Sequence, residues 1–265
     1  RVVGDGVSAG LDEQLTVPED FVRAYDPSAP DDGAWRAGLV RTSRGNVRAC
    51  RPNLVAILRH DGKLAGRLCE NQLSGATEWR SWPPHLTEEP ERTFPSEVRD
   101  QDVVLLHTVL EEEYGFPLGR EPLSDAVSVV AAQHRYHPVR EYLAGLSWDG
   151  TGRLDEWLTT YCGAEDGLYT RGVASRWMLA AVARAMEPGC KVDNVLLLEG
   201  GQGGKKSTLC EVLGGKWTAD SLPSLTTKDA ASYLRGVWIV ELAELAGLHR
   251  TEWNSIKAFL TRRQD

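Results

Sequence analysis

The apolar positions change period twice along this chain. Over residues 1–50 there is no period to follow. Pro, Asp and Gly cluster there, as in DPSAPDDGAW, and the stretch reads as loop-rich. Asn53 to His60 is a short apolar helix candidate behind Pro52. Gly66 to Gln72 and Ala76 to Trp82 flank Ser74-Gly75, which predicts a hairpin. The Pro- and Glu-rich PPHLTEEPERTFP at 83–95 reads as an exposed linker.

From 100 to 187 the period becomes helical. Val103, Leu106 and Leu110 share a face, and Gly115 and Pro117 stop that helix. Ser124 is placed to cap a second helix running to about Tyr136. Pro138 suits the first turn of a third, which Gly145 ends. Leu154 to Cys162 makes a fourth, before Gly163. Tyr169 to Met186 is apolar almost all round between its arginines and is expected to be largely buried. Pro188-Gly189 ends it.

After Gly189 the pattern turns α/β. NVLLLE, Asn194 to Glu199, is a continuous apolar run of strand length, as expected for a strand buried on both faces. Ser207 to Leu213 predicts a helix that Gly214-Gly215 ends. VWIVEL, Val237 to Leu242, predicts a second buried strand. Trp253, Ile256 and Leu260 mark one face of a further helix. The chain thus divides into a small α+β region (1–98), a helical subdomain (99–190) and an α/β segment (191–265). There is no internal repeat.

Composition adds limits. The 265 residues are 42% hydrophobic and 26% charged, which fits a globular chain able to build a core. No apolar window reaches the ~18 residues of a membrane span. The start, RVVGDGVSAG, lacks Met and the apolar run of a leader, which suggests a fragment. The net charge of -8 argues against a surface coated for duplex DNA. It leaves room for a locally basic element. Five scattered cysteines with no CxxC pair read as reduced, packed thiols of a cytosolic protein. His134 and His137 have no adjoining acid or Cys and read as structural.

The chemistry concentrates in EGGQGGKKSTL, Glu199 to Leu209. A phosphate-cradling loop asks for Gly, four residues, then Gly-Lys-Ser/Thr, between a buried strand and a helix. Gly200, Gly201, Gln202, Gly203 and Gly204 supply the loop. Lys206 falls where the β- and γ-phosphates are gripped, Ser207 where Mg²⁺ is held, and Thr208 follows in the first turn. Lys205 stands where the pattern has Gly. If φ is positive there, a side chain costs roughly 1 kcal/mol. Glu241 and Glu244 end the second strand, where one carboxylate can hold the metal and another the attacking water. Lys257, Arg262 and Arg263 are either a solvated helix face or a contact for DNA or a neighbour's phosphates.

Residues 137–209, with GVWIVELAELAGLHRTEWNSIKAFLTRRQD and NLVAILRHDGKLAGRLCENQ, resemble the virulence-associated protein E family of phages, prophages and pathogenicity islands. The resemblance covers roughly residues 50–265. It implies a primase-associated ATPase related to superfamily 3 helicases. The fold class is then an α/β P-loop NTPase core, AAA+-like, truncated after the second buried strand. Such proteins resemble hexameric rings that move along single-stranded DNA using ATP and Mg²⁺, in the cytoplasm of a bacterial host. On that likeness Lys206, Ser207, Glu241 and Glu244 take the site roles, and Lys257 and Arg262 lie in a basic helix. The family's sensor strand and arginine finger would follow Asp265, so neither is assigned. A degenerate loop serving as a non-catalytic scaffold and a P-loop kinase of small molecules are the alternatives.

Overall fold

The computed structural model describes residues 33–86, 91–115, 117, 120–192, 194–201, 203–220 and 232–242. The fold is mixed α/β. A first layer forms around α1 (Arg51–His60), β1 (Leu68–Asn71), β2 (Thr77–Trp79), β3 (Ser96–Glu97), α2 (Asp100–Tyr114), α3 (Arg120–Ala131) and β4 (Arg135–Tyr136), in sheet order β3-β2-β1-β4. The expected hairpin is present: β1 and β2 pair antiparallel, with Leu68 opposite Trp79. The Asn71 carboxamide stabilises the turn by accepting from Leu73 N at 2.9 Å. β4 joins the other side of β1 in parallel.

One face of each helix closes this sheet. Leu54, Ile57 and Leu58 of α1, Leu106 and Leu110 of α2, and Leu123, Val127 and Val130 of α3 share a core with Leu68 and Trp79. The sequence groups α2 and α3 with the later helices, yet they pack here. Val98, partly buried, packs against this core.

Two other expectations change in this layer. Ser124 does not open a helix. α3 starts at Arg120, with Pro122 in the first turn where its missing N–H costs nothing, and it ends before the turn into β4. The expected exposed linker is partly interior too. Residues 87–90 lie outside the described set, but Leu86 is buried, as is Trp82 just before the linker. Arg92 reaches Asp102 at 2.7 Å and lies 5.2 Å above the Trp82 ring. Asp102 also accepts from Trp79 Nε1 at 3.2 Å and from Arg99 N at 2.9 Å. A buried carboxylate needs such partners, and meeting that need fixes β2, the linker and α2 together.

The second layer contains α4 (Pro138–Ala144), α5 (Trp157–Cys162), α6 (Leu168–Met186), α7 (Lys206–Gly214), β5 (Thr218–Ala219) and β6 (Ile239–Val240), with β5 and β6 parallel. Its core joins Trp157, Leu158 and Ala174 to Trp177, Leu196, Leu198, Leu209 and Leu213. α6 is less buried than its composition predicts: only Ala174 and Ala185 are enclosed, and Leu179 is 58% exposed. An all-round apolar helix is buried only as far as neighbours cover it, and among the described residues they cover one side. Asn194–Glu199 also differs from expectation. It pairs with no strand among the described residues. Leu196 and Leu198 turn into the core, while Val195 and Leu197 are 51% and 57% exposed. The alternation is that of an extended segment covered on one face. The expected helix at Trp253, Ile256 and Leu260 lies outside the described residues.

The layers meet through specific bonds. Arg80 pairs with Glu141 at 3.0 Å, and Gly236 N donates to Leu73 O at 3.0 Å; inside the second layer, Arg140 Nε of α4 donates to Ala185 O of α6 at 2.6 Å. All five cysteines are free thiols. No three His, Cys, Asp or Glu side chains form a metal cluster among the described residues. No helix among them is long and apolar enough to cross a membrane.

His137 caps α4, its Nδ1 accepting from Arg140 N at 3.4 Å. Burial first, and then the Arg140 charge, push its pKa from 6.5 down to about 4. Below pH 6.5 the unfolded chain takes up a proton that the folded state refuses, so stability is lost as pH falls from 6.5 towards 4. His137→Gln is expected to flatten part of that loss in urea titrations across the window. His85 and His134, also lowered by burial, leave a residual slope.

Candidate functional site

The loop after Glu199 leads directly into α7, as a phosphate-cradling loop must. Gly203 has φ +80 and Lys205 has φ 55 and ψ 29. Lys205 is the only non-glycine residue with positive φ among the described residues. The position keeps the left-handed backbone for which the pattern reserves glycine, although its side chain is lysine. Gly204 N donates to Gly201 O at 3.3 Å, closing the loop on itself. A Cβ at Gly204 would stand 3.2 Å from that same oxygen.

Lys206, the first residue of α7, bends back over the loop. Its Nζ donates to Gly200 O at 2.9 Å and to Gly201 O at 3.0 Å. α7 has no side-chain cap and no acid in its first turn. Its N–H groups, the helix dipole and two lysines therefore concentrate positive potential at one point. The residues around that point are open: Gly200, Gly201, Gly203, Gly204, Lys205, Ser207 and Thr208 are exposed, and Lys206 is half-buried.

One turn of geometry joins the two halves of the sequence pattern. Ser207 Oγ donates to Glu241 Oε1 at 2.7 Å. Glu241 directly follows β6, and its N–H donates to Ala219 O at 2.8 Å, extending the β5–β6 ladder. Residues 34 apart in sequence thus place a hydroxyl and a carboxylate in contact. The Glu241 charge is felt in α7, where burial first and then that carboxylate raise the pKa of the Cys210 thiol. Hydroxyl and carboxylate oxygens suit a hard divalent cation, and the loop end suits an anion.

Of the other expected site residues, Gln202, Glu244, Lys257, Arg262 and Arg263 lie outside the described residues. The structure therefore brings together Lys206, Ser207 and Glu241 and the glycines of the loop.

Residues 143–265 match the family model of the virulence-associated protein E-like domain. The chain carries a virulence-associated protein E-like domain. None of the curated proteins matches the chain. The match begins inside α4, so the core built on α1, α2 and α3 precedes it, as does the NLVAILRHDGKLAGRLCENQ stretch.

Within the domain, three contacts were not legible in the pattern. The first is the pair of carbonyl bonds to Lys206. The second is Trp238, half-buried where a core position was expected. Its Nε1 donates to Ala181 O at 2.9 Å, and its ring meets Trp217 edge-on at 6.4 Å. This ties β6 to α6. The third is Gly214, expected only to end α7. A Cβ there would lie 2.2 Å from Thr218 Oγ1 and 3.1 Å from Ile239 Cβ. The glycine lets α7 lie against both strands. Its one sequence sign was a pair of glycines before a strand, which a turn explains equally well.

Gly214→Ala is expected to destabilise the domain by roughly 1–3 kcal/mol through overpacking, read from the urea midpoint. Lys205→Gly is expected to do the opposite by at most about 1 kcal/mol. The left-handed strain it removes is partly offset by the freer unfolded chain.

Proposed function

We propose that the chain binds ATP at Gly200–Thr208 and hydrolyses it. We place this activity in the replication of a phage or other mobile element, as a motor that moves along single-stranded DNA. The observation that supports it most is the 2.7 Å bond between Ser207 and Glu241, at the mouth of a glycine loop whose lysine faces inward. Lys206 has one N–H left after its two carbonyl bonds, and its charge is available to the β- and γ-phosphates. Ser207 and Glu241 would hold Mg²⁺, since their oxygens fit a hard cation. When bound, Mg²⁺ neutralises charge developing on the phosphates. Glu244 would orient the attacking water, with Gln202 beside the nucleotide. Lys257, Arg262 and Arg263 would face DNA or a neighbouring subunit's phosphates. A homo-oligomeric ring, a primase partner and a bacterial cytoplasmic setting belong to the same proposal.

A non-catalytic scaffold is the second reading, and Lys205 favours it. Lysine stands at a left-handed position, φ 55, for which the phosphate-loop pattern reserves glycine.

ATP hydrolysis by the full-length protein, with and without single-stranded DNA, decides between them. Lys206→Ala and Glu241→Gln are each expected to lower kcat by roughly a hundredfold or more, as for loss of one preorganised charge-stabilising group, with DNA stimulation lost. Nucleotide binding without turnover in the parent protein would leave the scaffold reading in place.

A further inference from the structure

From Gly33 to His60 the sequence holds six arginines and no acidic residue, within a chain whose net charge is -8. All six arginines are exposed. Three of them, Arg41, Arg44 and Arg48, belong to a tight hairpin. Arg41 bridges Val47 antiparallel. Thr42 N donates to Asn46 O at 2.8 Å, Gly45 N to Thr42 O at 2.9 Å, and Arg48 N to Val40 O at 2.9 Å.

This hairpin is held firmly. Buried Asn53 of α1 accepts from Val40 N and donates to Val40 O and Arg48 O, each at 2.8 Å. All the bonds run to the hairpin backbone, so its arginine side chains are presented from a fixed base. A charge run is ordinarily a solvated face. Here a buried carboxamide anchors it to the helix beside it.

The cations of the hairpin are the uncompensated ones. Of the six arginines, Arg51 pairs with Asp125 and Arg36 lies 3.6 Å from Asp61. Arg41, Arg44 and Arg48 make no ion pair among the described residues. The Arg41 guanidinium donates only to Gly45 O, at 2.9 Å. Arg59 bonds a neutral amide, Gln133 Oε1, at 3.1 Å. Its field reaches His134, whose pKa is lowered by burial first and then by Arg80 and Arg59. Planar guanidinium forks match phosphate oxygens better than they match water.

We propose that the Arg41–Val47 hairpin, with the adjoining Arg48, is a nucleic-acid-binding surface that grips the phosphate backbone. It lies outside the matched domain and is independent of the Gly200–Ser207 loop, so it stands or falls without the ATPase reading.

The test is fluorescence anisotropy of the full chain with a labelled mixed-sequence oligonucleotide, single-stranded or duplex, without ATP, over roughly 50–200 mM salt. The parent is compared with the triple variant Arg41→Ala/Arg44→Ala/Arg48→Ala. Loss of three phosphate contacts is expected to reduce the slope of log K against log salt by about 2 for single strands or about 3 for duplex. Affinity at the lowest salt should fall at least tenfold. The two probes show which form is bound. The Arg→Lys triple variant should keep the slope, and an unchanged urea midpoint shows that the variants are folded. Parental affinity and slope in the alanine variant would overturn the proposal. So would labelled polyglutamate binding as tightly as the oligonucleotides and being lost in the same variant, since the surface would then be for an acidic protein.

Discussion

The absence of a side chain at Gly214 decides how α7 lies on β5 and β6. A methyl group at that point would enter the Thr218 hydroxyl and press on Ile239. With hydrogen there, the helix end approaches both strands, and Thr218 Oγ1 bonds Cys210 O at 3.1 Å. The other end of the same short helix carries Lys206 and Ser207. The distance from Ser207 to Glu241 is therefore set by contacts at the far end of α7 as well as by the loop. β6 is in turn fixed to α6 by the Trp238 indole. The hydroxyl–carboxylate contact rests on this chain of packing.

The same logic links the layers. The β5–β6 pair is short, and a two-stranded ribbon has little stability of its own. It borrows from α7, from α6 through Trp238, and from the first layer through the Gly236–Leu73 bond. The first layer is more self-sufficient. Its sheet has helices on it, and three of its buried polar side chains, Asn53, Asp61 and Asp102, have hydrogen-bond partners.

How much of this could be read beforehand depended on the kind of signal. Helix existence was legible wherever apolar spacing and a punctuating residue agreed, as at α1, α2 and α4. The order of loop, helix and acid was legible from residue types alone, because glycines break an apolar run and an acid after four apolar residues marks where the next run ends. What failed was burial and pairing. An apolar run states what a segment avoids, but not which neighbour will cover it. Asn194–Glu199 and α6 both show that gap. The linker failed for the opposite reason: Arg92 looks like a surface residue until Asp102 and Trp82 give it an interior place. The Asn53 anchor was invisible, since one Asn in an apolar helix has no pattern to read.

Lys206 already has ligands. Two carbonyl oxygens of its own loop hold the ammonium, so the unloaded loop is an internal ion–dipole complex and not a vacant cup. An ammonium has three donors, so one N–H remains beyond those two bonds. That single donor is all the lysine can still give without giving up a bond to its own chain.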